Sequence, residues 1–239
     1  MKAIVMAGAK LREPDASELG LVWRCEVPVK GRPMVDHVLD ALKPNFEPIV
    51  IGGPERHDVC WIEGGHTLLE NFKKGLDATD EQRLMVVGSD IPFIQPEDLQ
   101  RFYDHADPLA AINYPIVETS EIDRAFPGMK RTVLSLKEGT FTGGNAFVVD
   151  RFLMNRILPT IEKTFEARKS PIKLGQVLGM RTLMLVLKTQ FFKGSVSISE
   201  LESQVGKSLG AKVKAITGQA PAIAADIDTT EHFAWVRTL

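Results

Sequence analysis

The run Val86-Val87-Gly88-Ser89-Asp90-Ile91-Pro92 is apolar until it stops on a small residue and a carboxylate. Pro92 has no N–H with which to extend a central strand, and it biases Ile91 toward extended geometry. The chain must therefore turn away and leave Asp90 at the strand's carboxyl end, where open α/β sheets place their ligands. A carboxylate on that rim is well placed to hold a metal. Asp and Ser also cap turns and helices for purely local reasons, so the choice between the two depends on what else the chain brings to the rim.

Outward from this run, short apolar stretches alternate with amphipathic ones. Ala3–Ala7 is predicted as a first strand ending in Gly8, Pro33–Leu42 as a helix with Met34, Val35, Val38, Leu39 and Leu42 on one face, and Pro48–Ile51 as a strand stopped by Gly52-Gly53. Strand, helix, strand implies a parallel crossover. Leu68–Leu76 reads as a helix, Leu84–Val87 as the strand delivering Asp90, and Pro96–His105 as a helix begun by Pro96 and Glu97. An α/β fold follows, with its sheet covered on both faces. After Leu109 the pattern changes: Leu109–Val117, Thr132–Leu136 and Ala146–Val149 look like strands with little helix between them, which suggests a mixed sheet or a β-rich insertion. Helices are expected at Phe152–Ala167, within Leu174–Lys188, at Ile198–Ser208 behind a Ser-x-Ser-Glu cap, and at Glu231–Val236, with a last strand at Lys212–Ile216.

The chain has 239 residues, 44% hydrophobic and 25% charged, which suits a soluble globular protein folded as a single domain over 1–239. Its 29 basic and 31 acidic residues give a net charge of −2, and without a basic surplus a nucleic-acid partner is not expected. Cys25 and Cys60 share no C-x-x-C spacing, and no charged segment leads into a secretory apolar core, so free thiols and a cytoplasmic location are expected. Apolar stretches such as Leu183–Leu187 are too short to span a bilayer, and no membrane partner is expected.

Four segments carry a resemblance to a known superfamily. The stretch Cys25-Glu26-Val27-Pro28-Val29-Lys30-Gly31-Arg32-Pro33-Met34-Val35-Asp36-His37-Val38-Leu39-Asp40-Ala41-Leu42 is similar to the second signature of the nucleotidyltransferases that include molybdenum-cofactor guanylyltransferase and the sugar-1-phosphate and methylerythritol-phosphate enzymes. Met6-Ala7-Gly8-Ala9 resembles that family's glycine-rich opening, Ser89-Asp90-Ile91-Pro92 its metal-site Asp-x-Pro, and Asp226-Ile227-Asp228-Thr229-Thr230-Glu231 its closing motif. The four fall in the family's order and span nearly the whole chain. The resemblance implies a three-layer, Rossmann-like nucleotidyltransferase fold, akin to glycosyltransferase A, with a mixed, mostly parallel central sheet.

A nucleoside triphosphate needs backbone N–H groups at its phosphates, and a loop of Gly8, Ala9 and Lys10 brings main chain close. The loop departs from the family pattern: no second glycine follows, and only Lys10 and Arg12 offer positive charge. The resemblance expects a lysine shortly before the Pro-Val-x-Gly segment. Arg24 stands there, with Lys30 nearby, and an arginine keeps the charge while changing the geometry. Asp90 and Asp228 are the expected Mg²⁺ ligands, with Mn²⁺ as an alternative ion and Asp226 as a third ligand, because a hard cation needs few protein oxygens once phosphates and water complete its shell. In an extended Asp226-Ile227-Asp228 strand both carboxylates would face one side; Thr229 or Thr230 capping the last helix is the local alternative. Likeness to the sugar-phosphate branch puts Asn145, after Gly143-Gly144, at the acceptor, although a plain hairpin turn explains that segment equally well. Lys130 and Arg131 suit an acceptor phosphate or simple solvation, Gly64-Gly65-His66 and Asn71 fall in the region of the family's base-reading loop, and His37 reads as a packing or surface residue.

The expected activity is transfer of a nucleotidyl group from an NTP to a phosphorylated small-molecule acceptor with release of pyrophosphate. Arg24, Asp90 and Asp228 would carry it by positioning and charge neutralisation. Monomer and homodimer are both compatible with the chain. The rivals are a glycosyltransferase of related fold, which would release NDP, and a non-catalytic nucleotide-binding regulator. A dinucleotide oxidoreductase would need G-x-G-x-x-G after the first strand, and Gly8 lacks those partners.

Overall fold

A computed structural model describes residues 1–167, 177 and 179–238. The elements run β1 (Lys2–Met6), α1 (Asp15–Leu19), a 3₁₀ turn (Arg24–Glu26), β2 (Pro28–Val29), β3 (Arg32–Pro33), α2 (Met34–Leu42), β4 (Glu47–Ile51), β5 (Cys60–Ile62), α3 (Leu68–Asp77), β6 (Arg83–Gly88) and α4 (Pro96–His105). The second half continues with β7 (Ile112–Glu118), α5 (Thr119–Ala125), β8 (Leu134–Leu136), β9 (Gly139–Gly143), β10 (Ala146–Asp150), α6 (Arg151–Ala167), α7 (Met180–Phe191), α8 (Ile198–Leu209), β11 (Val213–Ile216), a 3₁₀ turn (Pro221–Ala224) and α9 (Thr230–Val236).

Among the described residues nine strands form one sheet in the order β5-β4-β1-β6-β10-β7-β9-β8, with β11 also on β7. The β5, β4, β1 and β6 group is parallel, and Met6 is in register with both Ile51 and Gly88, so three strand ends meet one rim. Both faces are covered. Val5, Val50, Met85 and Val87 pack with Val38, Leu39, Leu99 and Phe102 on one side, while Ile4, Ile49, Leu84 and Val86 pack with Leu76, Met154 and Ile157 on the other. Burial on both faces explains why these strands read as unbroken apolar runs. Deleting a side chain such as Leu99, fully buried in the first layer, would cost about 2–5 kcal/mol.

The change of pattern after Leu109 is the start of the mixed half of the sheet. β10 runs antiparallel to both β6 and β7, and β9 pairs antiparallel with the far end of β7. The register slips by two residues between Ile116↔Gly143 and Asn113↔Val148. Residues 139–145 are thus no hairpin turn: β9 continues through a bulge at Gly144-Asn145 into β10. Gly144 N–H still reaches Pro115 O at 2.9 Å, and Asn145 N–H bonds Ile223 O at 2.8 Å. Pro115, which has no N–H to give, sits where the bulge interrupts the ladder.

Two further expectations are corrected. Asp226-Ile227-Asp228 lies in no strand; its anchor is Ile227 N–H, which donates to Asp90 O at 2.8 Å. The strand expected from Thr132 begins only at Leu134. Of the helix expected within Leu174–Lys188, α7 is described and residues 174–176 and 178 lie outside the described residues.

Candidate active site

Asp90 sits where β6 ends. Gly88 N–H bonds Asn145 O at 2.8 Å, fixing that end against the bulge, and the carboxylate folds back over Gly88, where a Cβ would lie 2.5 Å from Asp90 Oδ1. Arg24 Nη2 lies 3.4 Å from Asp90 Oδ2, with side chains 27% and 13% exposed. The arginine is presented by the 3₁₀ turn, whose first N–H donates to Ala9 O at 2.9 Å. Burial pushes the Asp90 carboxyl up from the ordinary range; Arg24 opposes this, and the negative charge of Asp228 adds to it. Asp228 is held below the usual range, chiefly by His232, whose Nδ1 is 3.4 Å away, and also by Arg24 and Arg131.

Arg131 completes the cluster. It forms an ion pair with Asp226, reaches Gly143 O at 3.5 Å, and keeps a buried Nε without a hydrogen-bond partner among the described residues. Burial lowers its pKa while Asp228 and Asp90 oppose the shift. Asn145 Nδ2 is likewise buried without a partner among the described residues. Arg24, Asp90, Asp226, Asp228, Arg131 and Asn145 are therefore brought to one rim. Nothing local to residue 131 separates it in sequence from a solvated arginine; its partner is almost a hundred residues downstream. Lys130 is on the outside, paired with Glu231 at 3.1 Å.

On the β5-β4-β1 side of this cluster lies a cleft of about 750 Å³ lined by Gly8, Lys10, Trp23, Gly53, Trp61, Gly64 and His66 among others. Its base requires glycine. A Cβ on Gly52, at φ +75°, would stand 2.7 Å from Gly8 Cα, and one on Gly8 would stand 2.5 Å from Asn71 Nδ2. Buried Asn71 ties the far wall by accepting Gly65 N–H at 2.5 Å. Lys10 lies 5.3 Å over the Trp23 ring, Ala9 contributes its carbonyl to Arg24, and Arg12 is exposed before α1. Trp23 and Trp61 are cleft residues that spacing does not reveal. Lys30 is exposed in the β2–β3 turn, and His37 is a packing residue whose Nε2 is 2.8 Å from Val29 O.

On the opposite side a second cavity of about 750 Å³ runs between β7, β9, β10, β11 and α8 and reaches Arg131, Asn145, Asp226 and Asp228 at one end. Its remaining wall is largely aliphatic and aromatic, including Tyr114, Ile116, Phe141 and Leu201.

The mixed, mostly parallel sheet is a fold shared with solved transferase structures. The model of the MobA-like NTP transferase domain matches residues 3–123, and the chain belongs to that family. A hypothetical transferase from Thermus thermophilus is 32% identical, covering 98% of this chain and 100% of its own with a TM-score of 0.86. Two more distant structures share the fold. A nucleotidyl transferase from Methanothermobacter is 17% identical over 99% of this chain and 95% of its own, at TM-score 0.58. The 2-C-methyl-D-erythritol 4-phosphate cytidylyltransferase of Thermus thermophilus is 15% identical over 100% and 98%, at TM-score 0.55. No curated protein matches the chain. The fold and family make this an enzyme of nucleotidyltransferase type, whose relatives act on an NTP and a small-molecule acceptor. Among the described residues no helix is long and apolar enough to cross a membrane.

Proposed function

We propose that the protein transfers an NMP group from an NTP to a phosphorylated small molecule with release of pyrophosphate. The observation that carries this reading is the position of the Arg24–Asp90 pair, 3.4 Å apart, on the rim between a glycine-floored cleft and a second cavity. The cleft takes the nucleotide, with main chain at Gly8 and Ala9 and the Lys10 ammonium near its phosphates. Arg24 holds oxygens of the reacting phosphoryl group. From the other side Arg131 and the Asn145 amide, whose Nδ2 has no partner among the described residues, bind the acceptor phosphate and orient it for in-line attack. That phosphate is already ionised near neutral pH, so no general base is required.

Asp90 and Asp228 suit a Mg²⁺ ion. They are hard oxygen donors, and a bound divalent cation would offset both the burial and the like charge of Asp228 that push the Asp90 carboxyl up. Among the described residues no three carboxylate, histidine or cysteine side chains are grouped to hold a metal, and Asp226 is engaged by Arg131, so two protein carboxylates would be completed by phosphate and water. Mg²⁺ would neutralise charge on the triphosphate; Asp226 would hold Arg131 in place.

The test is to incubate the protein with each of the four NTPs, Mg²⁺ and a panel of phosphorylated metabolites while measuring pyrophosphate. Pyrophosphate release that depends on an acceptor, and that Asp90→Ala abolishes without unfolding the chain, supports the reading. Near-normal turnover in that variant removes Asp90 from the site, and NDP release from an NDP-sugar replaces the reading with glycosyl transfer.

A further inference from the structure

The cavity on the acceptor side has a wall that a sugar would leave unsatisfied. Helix α8 carries Ile198, Leu201, Val205 and Leu209 on one stripe, yet buries none of its residues fully: Ile198 and Leu201 pack against the Ile116, Leu136 and Phe141 cluster, and the stripe also lines the cavity. Across from it, β9 contributes Phe141, and Phe147 of β10 stacks on Tyr114 with ring centroids 5.2 Å apart.

Two of the polar side chains along this wall are already paired. Glu202 pairs with Lys214 at 3.0 Å and accepts Ala215 N–H at 2.8 Å, and Thr142 Oγ1 donates to Thr132 O at 3.0 Å. Among the described residues the buried donors left open, Arg131 Nε and Asn145 Nδ2, are at the end that meets Asp226 and Asp228, and the Tyr114 hydroxyl lies beside Gly143 toward the same end. A polyhydroxylated acceptor would lose water from each hydroxyl along the α8 and β9 faces and gain few partners there in return. A molecule with one anionic head and an apolar body matches it.

We infer that the acceptor is the phosphate monoester of an apolar chain, with its phosphate at Arg131 and Asn145 and its hydrocarbon against α8 and β9. This deepens the proposed transfer reaction and rests on it for the identity of the cavity as the acceptor site. The phosphate end faces the carboxylates, so chain length changes affinity without moving the reacting oxygen.

Calorimetry with the full chain and butyl, hexyl and octyl phosphate tests the binding. Affinity should rise about fourfold per added methylene until the cavity is filled, with one ligand bound per chain. Leu134 and Phe147 line the cavity at 37% and 36% exposure, so Leu134→Asp and Phe147→Ser can be made without opening the core. Each should lower octyl phosphate affinity at least tenfold while inorganic phosphate binding is unchanged. A flat series, or a chain-length dependence that both variants retain, overturns the inference. In the pyrophosphate assay octyl phosphate should outrun glucose 1-phosphate; the reverse order overturns the inference and leaves the transfer reaction standing. If no NTP and acceptor give pyrophosphate, the transfer reaction fails, and the calorimetric series still decides whether the cavity takes an apolar phosphate.

Discussion

Asp90 is held in the folded state at a cost. Its carboxyl is raised by burial and by Asp228, so above its folded pKa the ionised form is disfavoured in the native state relative to the unfolded chain, and the penalty vanishes as pH falls below the unfolded value. Asp228 has the opposite sign: its lowered pKa contributes stability above the ordinary carboxylate range, which is lost as pH falls through the folded value. Asp90→Asn should therefore abolish turnover and yet raise Tm near neutral pH by roughly 2–4 °C, the shift for about 1 kcal/mol in a domain of this size. The gain should shrink toward acid pH in melts followed by circular dichroism; a lower Tm at pH 7 would show that Asp90 is stabilising. Gly52 offers a second residue-scale prediction. At φ +75° with Gly8 Cα 2.7 Å from its would-be Cβ, Gly52→Ala should cost about 1–3 kcal/mol and weaken NTP binding more than acceptor binding, measured by calorimetry with each ligand. Asp90 and Asp228 are legible in sequence because each lies in a short motif at a chain turn. Arg131 is not, because its meaning depends on Asp226, a partner supplied only by folding.

At the scale of elements, legibility follows length and periodicity. β6 and α4 are recognisable because Leu84–Val87 is continuously apolar and Pro96–His105 opens with Pro and two acids. β5 is missed because Cys60-Trp61-Ile62 offers three residues and no fully buried one, and α5 because Thr119–Ala125 buries only Ile122. The β9–β10 bulge is misread as a turn because two glycines signal both equally; pairing with β7, seen only in three dimensions, decides. Helix α3 opens with a reciprocal cap, Thr67 Oγ1 accepting Glu70 N–H at 3.1 Å and Glu70 Oε2 accepting Thr67 N–H at 3.2 Å. The same Glu70 oxygen accepts His66 N–H at 2.6 Å, so the cap also pins the loop that lines the glycine-floored cleft. Thr67→Ala should lose about 1 kcal/mol of stability and also raise the KM for NTP more than it changes kcat. A drop in Tm without the KM effect would confine Thr67 to helix capping.

For the whole molecule, strand order sets the two cavities on either side of the Asp90 cluster. Moving along the rim from β5 to β9, the glycine-floored cleft comes first, the Asp90 cluster at β6 second, and the apolar cavity last. Parallel β1, β4 and β6 must all end on one edge, and antiparallel β10 must begin there, so the bulge at Gly144-Asn145 is delivered beside Gly88 by topology alone. In the proposed reaction that arrangement couples the two ligands through the charges between them. Bringing a triphosphate to the rim adds negative charge next to Asp90 and Asp228, which two arginines, one of them already paired with Asp226, offset only in part. A divalent ion should therefore be needed for tight nucleotide binding as well as for turnover. With an NTP at a hundred times its Kd in Mg²⁺, linkage predicts about 2.7 kcal/mol of added stability, a Tm rise of roughly 5–10 °C. EDTA should remove most of that rise, and Asp228→Asn should reproduce the loss in the presence of Mg²⁺. An undiminished rise with EDTA would place nucleotide binding on Arg24, Lys10 and backbone amides alone, and would end the assignment of Asp90 and Asp228 as a metal site.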